Sequence, residues 1–264
     1  MKRKSVSLAA LVLAVFLFFA AAAAEGTGDY EYTVLDDGTV CVTRYTGNGS
    51  EAIIPAEIDG HPVTAIGDRA FANCLSLVSV TLPEGLVSIG DYAFYDCNAL
   101  TAAELPSGLA LIGTGAFQMC VRMDSITLPD GLTEIGDYAF AYCEALSGIV
   151  IPEGVARIGD SAFWRCSSLT SVTVPGSTVL IDEHAFSNCR KLASVTLEEG
   201  VASIGSLAFN KCSSLEQVVL PASVTSIGTD AFHFCSDMLT VTVHDGSYSA
   251  GYCQDNGIRC VNTD

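Results

Sequence analysis

One pentapeptide pattern, Ala-Phe-x-x-Cys, recurs eight times along this chain at a constant step of 23 residues. The phenylalanines are Phe71, Phe94, Phe117, Phe140, Phe163, Phe186, Phe209 and Phe232. The cysteines keep the same register and are Cys74, Cys97, Cys120, Cys143, Cys166, Cys189, Cys212 and Cys235. A fixed period of this kind shows that one supersecondary unit is stacked on itself. The chain therefore folds as a repeat array, and the stability of the array lies in the interfaces between repeats.

Each repeat predicts one coil of a solenoid. Residues 80–82 alternate inward and outward, and Pro83 ends this short strand because proline cannot donate to a ladder. A turn and a short extended segment ending at Ile89 follow, and Phe, Cys and Leu then recur at helical spacing. We therefore expect an α/β solenoid of about eight coils, with a parallel β-sheet on one face and short helical turns on the other.

Two positions of the repeat have predicted backbone roles, the aspartate before the Ala-Phe pair and the glycine. Asp91, Asp137 and Asp160 stand just before an Ala-Phe pair, where a side-chain oxygen caps the free amides of a helical turn. Glycine follows Ile89 and also the Pro-Glu turn, and we expect it to adopt positive φ there.

The first 24 residues have the features of a signal peptide. Lys2, Arg3 and Lys4 precede an apolar run over residues 5–20, and Ala22-Ala23-Ala24 fits a small-residue cleavage site. The alternative is a membrane anchor, but the run is short for a transmembrane span. The sequence therefore predicts a secreted or cell-surface protein with a signal peptide over 1–24 and no transmembrane segment after its removal.

The mature chain is strongly acidic. Removing residues 1–24 takes away three of the 12 Lys and Arg residues and none of the 30 Asp and Glu residues, which changes the formal charge from −18 to −21 (9 against 30). Nucleic-acid binding needs a basic surface, so nucleic acid is excluded as a partner.

The rest of the chain divides into three predicted segments. Residues 25–60 form an N-terminal capping repeat with a β-hairpin around Asp36-Asp37-Gly38. Residues 61–243 form the repeat solenoid. In it Thr178, Asp182 and Glu198 depart from the pattern without changing the spacing, which indicates local adjustment and no domain break. Residues 244–264 form a C-terminal cap, with a short helix closed by Asn256-Gly257 and a final strand.

The repeat resembles the BspA-like leucine-rich repeat family. Residues 89–106 read Ile-Gly-Asp-x-Ala-Phe-x-x-Cys-x-x-Leu-x-x-Val-x-Leu-Pro, with Ala103 in the Val place. The entry at 54–67 and the closing segment at 247–258 are similar to the first and last repeats of that family. The resemblance implies a leucine-rich repeat solenoid that is secreted or surface-exposed and binds other molecules, with adhesion to host matrix proteins or other cells among the roles.

The repeat cysteines invite a chemical interpretation, but their arrangement is linear. A zinc site needs ligands that converge tetrahedrally, whereas these thiols lie one per coil. Neighbouring coils are about 5 Å apart, within the Cα range for a disulfide, but equivalent side chains run parallel and do not face each other. We expect buried thiols that act as small apolar residues. Cys253 and Cys260 in the cap are the predicted disulfide, which leaves Cys41 over.

Catalysis is not indicated. His61, His184, His233 and His244 occupy unrelated positions of the coil, and an active site needs nucleophile, base and orienting group within mutual reach. We therefore expect no enzyme activity, no metal site and no cofactor.

The outward row of the predicted sheet is the candidate binding surface, because solenoids bind ligands on extended sheet faces. Small residues that suit an exposed strand explain the same composition, so this alternative stays open. The row lacks the aromatic and Arg anchors of tight interfaces, so we expect modest affinity. Its members are Ser79, Thr81, Ala102, Glu104, Ser125, Thr127, Gly148, Val150, Ser171, Thr173, Ser194, Thr196, Gln217, Val219, Thr240 and Thr242.

Two functions are compatible with these features. The first is a non-enzymatic, secreted or surface scaffold that binds a protein or glycan, such as host matrix or another cell surface. The second is a structural component of a surface array that acts by self-association.

Overall fold

The computed structural model describes residues 25–263, so the predicted signal peptide over 1–24 lies outside the described residues. The chain forms a stacked solenoid of about ten turns, in place of the predicted eight or so. The number is higher because the lead-in strand Val40–Tyr45 and the segment His61–Ile66 already lie in the parallel ladder. Within 25–263, no helix has the length and apolar character to cross a membrane.

The longest sheet runs along the side of the Ile-Gly segments. It begins with an antiparallel N-terminal hairpin and continues as a ladder of mostly two-residue parallel strands. Its strands are β1 (Glu25–Thr27), β2 (Tyr30–Val34), β3 (Val40–Tyr45), β5 (Glu57–Ile58), β6 (His61–Ile66), β8 (Ser88–Ile89), β10 (Leu111–Ile112), β12 (Glu134–Ile135), β13 (Arg157–Ile158), β15 (Leu180–Ile181), β17 (Ser203–Ile204) and β19 (Ser226–Ile227).

The predicted face of longer strands forms two parallel sheets, where the sequence predicted one. Residues 148–151, which separate them, belong to no strand. The first sheet contains β4 (Glu51–Ile53), β7 (Ser79–Thr81), β9 (Ala102–Glu104) and β11 (Ser125–Thr127). The second contains β14 (Ser171–Val174), β16 (Ser194–Leu197), β18 (Gln217–Val219), β20 (Thr240–His244) and β21 (Arg259–Thr263).

The predicted helical turns are wrong, because the Ala-Phe-x-x-Cys segments are pairs of tight turns. Tyr92 and Asp96, two residues before and after Phe94, have φ values of 56° and 58°, which no α-helix contains. The Phe94 N–H donates to the carbonyl of Ala116 at 2.7 Å, in the next coil. Since alternate amides bond between coils, they are not free for the i−4 bonds of a helix.

A ladder of stacked aromatic rings fills the core. The rings of Phe94 and Phe117 have centroids 5.1 Å apart and planes 3° from parallel. The ladder continues from Tyr45, which stacks on Phe71 at 5.0 Å, to Phe232, which meets Tyr252 edge-on at 6.4 Å. Identical residues in identical registers therefore bury both flat faces of each coil, as the repeat predicts.

The glycine after each Ile permits close approach between coils, and the expected positive φ there is wrong. A Cβ atom at Gly159 would lie 2.6 Å from Oδ1 and 2.7 Å from the backbone nitrogen of Asp137. Gly85, in the Pro-Glu turn, also lacks positive φ, whereas Gly200 at the equivalent turn position has a φ of 121° as predicted. In the coils that have glycine at this position, the close approach leaves no room for a side chain, and backbone freedom is not what the glycine supplies.

Asp91 and Asp137 bond to the following coil, where a cap within their own coil was predicted, whereas Asp160 accepts from the adjacent Ser161 hydroxyl at 2.8 Å. Asp91 Oδ1 accepts from the Thr114 N–H at 2.7 Å, and Asp137 Oδ1 accepts from the Asp160 N–H at 2.9 Å. These carboxylates therefore stabilise the interfaces between repeats.

Both ends of the stack contain the predicted elements. β2 and β3 pair antiparallel around the Asp36-Asp37-Gly38 turn. Helix α1 (Tyr248–Asp255) begins after Ser247, whose side chain accepts from the Ala250 N–H, and ends at Asn256. β21 then pairs in parallel with β20 and covers the last coil.

The irregular repeats keep their register, as predicted. β13, β15 and β17 pair in the ordinary parallel pattern through them. The buried Thr178 hydroxyl donates to the carbonyl of Val155 at 2.8 Å, so it is satisfied within the core. The division of the chain into the predicted segments stays a prediction.

Candidate functional site

The predicted outward row lies on the two sheets of longer strands. In β7 the central Val80 is buried, whereas Ser79 and Thr81 on either side of it are exposed. The parallel register aligns Ser79 with Ala102 and Thr81 with Glu104, so equivalent side chains form straight columns across coils. Ser125, Thr127, Ser171, Thr173 and Gln217 are also exposed, and Ser194 and Thr196 are half-buried.

The row is interrupted by a depression that the sequence analysis did not predict. It occupies about 420 Å³ where residues 148–151 separate β11 from β14. Its only sequence signal is Gly148, which leaves the row without a side chain at that point. The lining residues are Ile149, Val150, Ile151, Glu153, Ser171, Val172, Thr173, Pro175 and Glu198.

The depression combines apolar and acidic groups. The Val150 side chain is 81% exposed, although Ile149 and Ile151 on either side of it are buried. The carboxylates of Glu153 and Glu198 lie among the lining groups. The lining groups are apolar side chains, hydroxyls and two carboxylates, an arrangement that can bind a ligand by apolar and polar contacts.

The cysteine ladder consists of free thiols that are mostly buried, as predicted, but they are not simply apolar. The Cys97 thiol donates to the carbonyl of Phe71 at 3.1 Å, and Cys166 donates to Phe140 at 3.3 Å. The same contact recurs along the ladder to Cys235. Among residues 25–263, no group of three His, Cys, Asp or Glu side chains is arranged to hold a metal ion.

Burial controls the ionisation of these thiols. Desolvation raises the pKa of Cys143 to about 12 and that of Cys189 to about 12, so both stay protonated and able to donate at neutral pH. At the N-terminal end of the ladder Cys74 is only half-buried, and a hydrogen bond with the Cys97 side chain lowers its pKa.

The cap cysteines are unpaired in the structure. Cys253 is buried, and burial raises its pKa to about 11, whereas Cys260 is exposed on β21. The disulfide between them stays a prediction. Cys41 is a separate buried thiol near the N-terminal hairpin, and burial raises its pKa to about 11.

In the described part of the chain, neither His61 nor His233 has a second histidine among its contacts. His61 Nδ1 lies 2.8 Å from the carbonyl oxygen of Gly38. The His233 ring stacks on Phe234 with centroids 3.9 Å apart. His184 is a positive-φ residue of the tight-turn row, with φ of 53°.

A charge cluster around Arg157 was not predicted. Its guanidinium contacts three carboxylates on the two flanking coils, Glu134 at 2.5 Å and Asp137 at 2.7 Å on one coil and Asp182 at 2.8 Å on the other. Asp182 stands where other coils have the Ile-Gly glycine, so this departure from the repeat supplies an ion-pair partner. The cluster links neighbouring coils through ion pairs, and none of its residues lines the depression.

Aromatic side chains gather on the tight-turn side. The rings of Tyr142 and Trp164 meet edge-on with centroids 4.8 Å apart, and the Arg165 guanidinium lies 5.1 Å from the Tyr142 ring centre. Trp164 is therefore partly packed against the Tyr142 ring of a neighbouring coil.

Solved structures share this architecture. A leucine-rich repeat protein of T. pallidum is 30% identical, with a TM-score of 0.66, over 90% of this chain and 98% of that one. A leucine-rich repeat protein of Bacteroides ovatus is 26% identical, with a TM-score of 0.75, over 90% of this chain and 67% of that one. The comparison with curated proteins gave no match.

A family profile matches the sequence directly. The profile describes the BspA type leucine rich repeat region and matches residues 54–170 and 133–253 in six copies. Proteins with this repeat are typically surface-associated binding scaffolds and generally not enzymes. Because the match spans most of the described residues, the chain belongs to the BspA-type leucine-rich repeat family.

Proposed function

We propose that this protein is a secreted or cell-surface scaffold that binds a protein or glycan ligand and catalyses no reaction. One observation carries the proposal, namely the row of exposed side chains in register on the two outer parallel sheets. A surface built from equivalent positions of successive coils is extended and rigid, which suits a long ligand. Host matrix proteins and the surface of another cell are ligands of this kind.

The composition of the row predicts the character of the binding. Half of its exposed members are Ser and Thr, and the others are Ala102, Glu104, Gly148, Val150, Gln217 and Val219. Hydroxyl and carboxylate groups on a flat surface form hydrogen bonds without deep burial, so each contact contributes little. Affinity then depends on the number of coils that the ligand spans, and a long ligand compensates for weak single contacts.

The exposed columns also indicate where the binding is to be tested. Thr127 and Thr173 face outward on opposite sides of the interruption, and neither reaches the core. A lysine at either position adds length and charge to the sheet face without disturbing the packing beneath it. Thr225 is exposed beside β19 in the longest sheet, so Thr225→Lys makes the same chemical change on another face.

The test is binding of residues 25–264 to an array of host matrix proteins and glycans. We expect a saturable ligand whose binding weakens several-fold with Thr127→Lys and Thr173→Lys and is unchanged with Thr225→Lys. A ligand that is equally sensitive to all three substitutions would place recognition elsewhere.

Light scattering on the same samples tests the alternative function. Reversible self-association of the chain, together with no hit on the array, would replace ligand binding with assembly into a surface array. A monomer that binds nothing would contradict both functions.

A further inference from the structure

The backbone at the interruption of the outer sheets is unpaired. Within residues 25–263, no backbone hydrogen bond involves the N–H or C=O groups of Gly148, Ile149, Val150 or Ile151. The strands on either side are fully laddered to their outer neighbours, β11 to β9 and β14 to β16. Buried backbone polar groups nearly always have a partner, and Ile149 and Ile151 are buried residues, so their unpaired backbone groups mark a place where a partner can be added.

The opening is local to this face of the solenoid. On the longest sheet the same two coils pair normally, since Glu134 aligns with Arg157 and Ile135 with Ile158. In the core the Phe140 and Phe163 rings stack at an ordinary 5.4 Å. The coils are therefore not separated, and a chain cannot pass between them. A ligand can only lie in the surface groove that the missing ladder leaves, which we call the crease and define by residues 148–151.

The crease has an apolar contact point. Val150 projects from it with 81% of its surface exposed, more than any other large hydrophobic residue recorded as exposed in the described part of the chain. The equivalent position on β18 is Val219, which is only 37% exposed. A ligand that covers Val150 removes apolar surface from water, which is favourable at about 25 cal/mol per Å².

The crease also has a charge preference. Glu153 and Glu198 lie among its lining groups, and no ion pair in residues 25–263 involves either carboxylate. These carboxylates can pair with a cation of the ligand. The crease thus offers a charge contact, an apolar contact at Val150 and open backbone groups, and these three features suit one kind of ligand. A second copy of this chain is a poor candidate, because its formal charge is −18.

We propose that the crease anchors an extended peptide segment of a partner protein, with a lysine or arginine beside an apolar residue. The segment lies along the surface groove over residues 148–151 and bonds only to those open backbone groups that face the groove. Its apolar side chain covers Val150, and its cation lies between Glu153 and Glu198. Main-chain bonds of this kind add affinity for an extended peptide, and the side chains provide selectivity. The inference rests on the proposed binding role of the sheet face and specifies its ligand class and location.

The test uses the blocked peptide acetyl-Thr-Lys-Val-Lys-Thr-amide and ¹⁵N-labelled residues 25–264, followed by amide chemical shifts in NMR. We expect saturable shifts concentrated at residues 148–151 and in the first residues of β14. The matched peptide acetyl-Thr-Glu-Val-Glu-Thr-amide should give no saturable shifts. Since exposed ion pairs contribute up to about 1 kcal/mol each, Glu153→Gln and Glu198→Gln should each raise Kd by about two- to fivefold.

A matched pair of variants tests the location. Val150→Thr should weaken binding of the lysine peptide, whereas Val219→Thr, the same change at the same coil position on an intact ladder, should leave Kd unchanged. Both side chains are outside the core, so loss of folding does not confound the comparison. Equal weakening by the two variants would overturn the assignment to the crease.

The remaining outcomes are also decisive. No saturable shift with the lysine peptide, equal binding of the glutamate peptide, or shifts at the crease only with glycan fragments or on dimerisation would each overturn the inference. An array ligand that depends on Thr127 and Thr173 while the lysine peptide is silent would leave the proposed function standing without this inference. If the lysine peptide binds at the crease but the array yields no ligand, this inference stands and the proposed binding of array ligands by the sheet face does not.

Discussion

The thiol of Cys143 donates a hydrogen bond to the backbone carbonyl of Phe117, 3.3 Å away in the preceding coil. The same carbonyl accepts from the Cys120 N–H at 3.2 Å within its own coil. From Cys97 to Cys235, each ladder cysteine thus combines an apolar volume with a donor that connects two coils. Alanine offers no donor and less volume, so the recurrence of cysteine has a physical basis without metal binding or disulfide formation.

Cys143→Ala should lower the free energy of unfolding by about 1–3 kcal/mol, because it removes one hydrogen bond and leaves a small cavity. Denaturant unfolding of residues 25–264 followed by circular dichroism measures the change. Cys260→Ala is the control, since that thiol is exposed and should cost no more than about 0.5 kcal/mol. A negligible effect at Cys143 would mean that the thiol contact adds nothing to coil stacking.

The buried thiols should make the protein sensitive to alkali. Burial raises the pKa of Cys143 from 9.0 to about 12, so the unfolded chain loses this proton first. The folded state then holds more protons between these two values, and stability falls as pH rises from about 9 to about 12. Below the unfolded value the full contribution is present.

Each such thiol should contribute a slope of about 1.4 kcal/mol per pH unit in that window. Unfolding free energies measured across the window should therefore depend less steeply on pH in Cys143→Ala and in Cys189→Ala. Cys260→Ala is the control, since that thiol lies outside the ladder and is exposed. An unchanged slope in both ladder variants would show that other groups cause the alkaline unfolding.

The sequence predicts the core of this fold because the repeat places the same residue at the same point of every coil. The inward positions of Phe, Cys and Leu follow from that register alone. It cannot separate a helical turn from a pair of tight turns, since Phe94, Cys97 and Leu100 point inward in both. The deciding feature is the positive φ of Tyr92 and Asp96, and neither residue is a glycine that would indicate it.

The candidate site is likewise predictable from the sequence only in part. The alternation in Ser79-Val80-Thr81 predicts which residues face outward, because a strand has a period of two. The crease depends on whether neighbouring coils form hydrogen bonds at residues 148–151, and this cannot be seen from the strand pattern of one coil. Gly148 weakens a strand, but the sequence contains many glycines that do not interrupt a ladder.

The Ile-Gly glycines should not tolerate a side chain. A Cβ at Gly159 would lie 2.7 Å from the Asp137 backbone nitrogen and 2.8 Å from the Gly136 carbonyl carbon, and neither atom can move without shifting the coil. Gly159→Ala should therefore lower the unfolding free energy by about 1–3 kcal/mol. Thermal or denaturant unfolding of residues 25–264 measures this loss.

Gly148→Ala is the matched control for that change. Its added Cβ would meet no heavy atom within 4 Å, and its φ is not positive. Because alanine restricts the unfolded chain, we expect stability to be unchanged or to rise by about 0.4–1 kcal/mol. Equal destabilisation by both substitutions would contradict the close approach of coils as the reason for Gly159.

Arg157→Met should destabilise the stack in a salt-dependent way. The substitution keeps most of the apolar stem but leaves the carboxylates of Glu134, Asp137 and Asp182 without their shared cation. The Arg157 side chain is 31% exposed, so solvent screens part of the interaction, and we expect a loss of about 1–3 kcal/mol at low salt.

Salt should reduce that loss, because it screens repulsion among the three remaining carboxylates. Unfolding measured at low and at high sodium chloride concentration should therefore bring the variant closer to the wild type as salt rises. Arg190→Met is the control, since Arg190 is exposed and forms no ion pair within residues 25–263. If the loss at Arg157 is the same at both salt concentrations, its role is packing of the stem against β12 and β15. The three carboxylates would then contribute nothing to the stability difference.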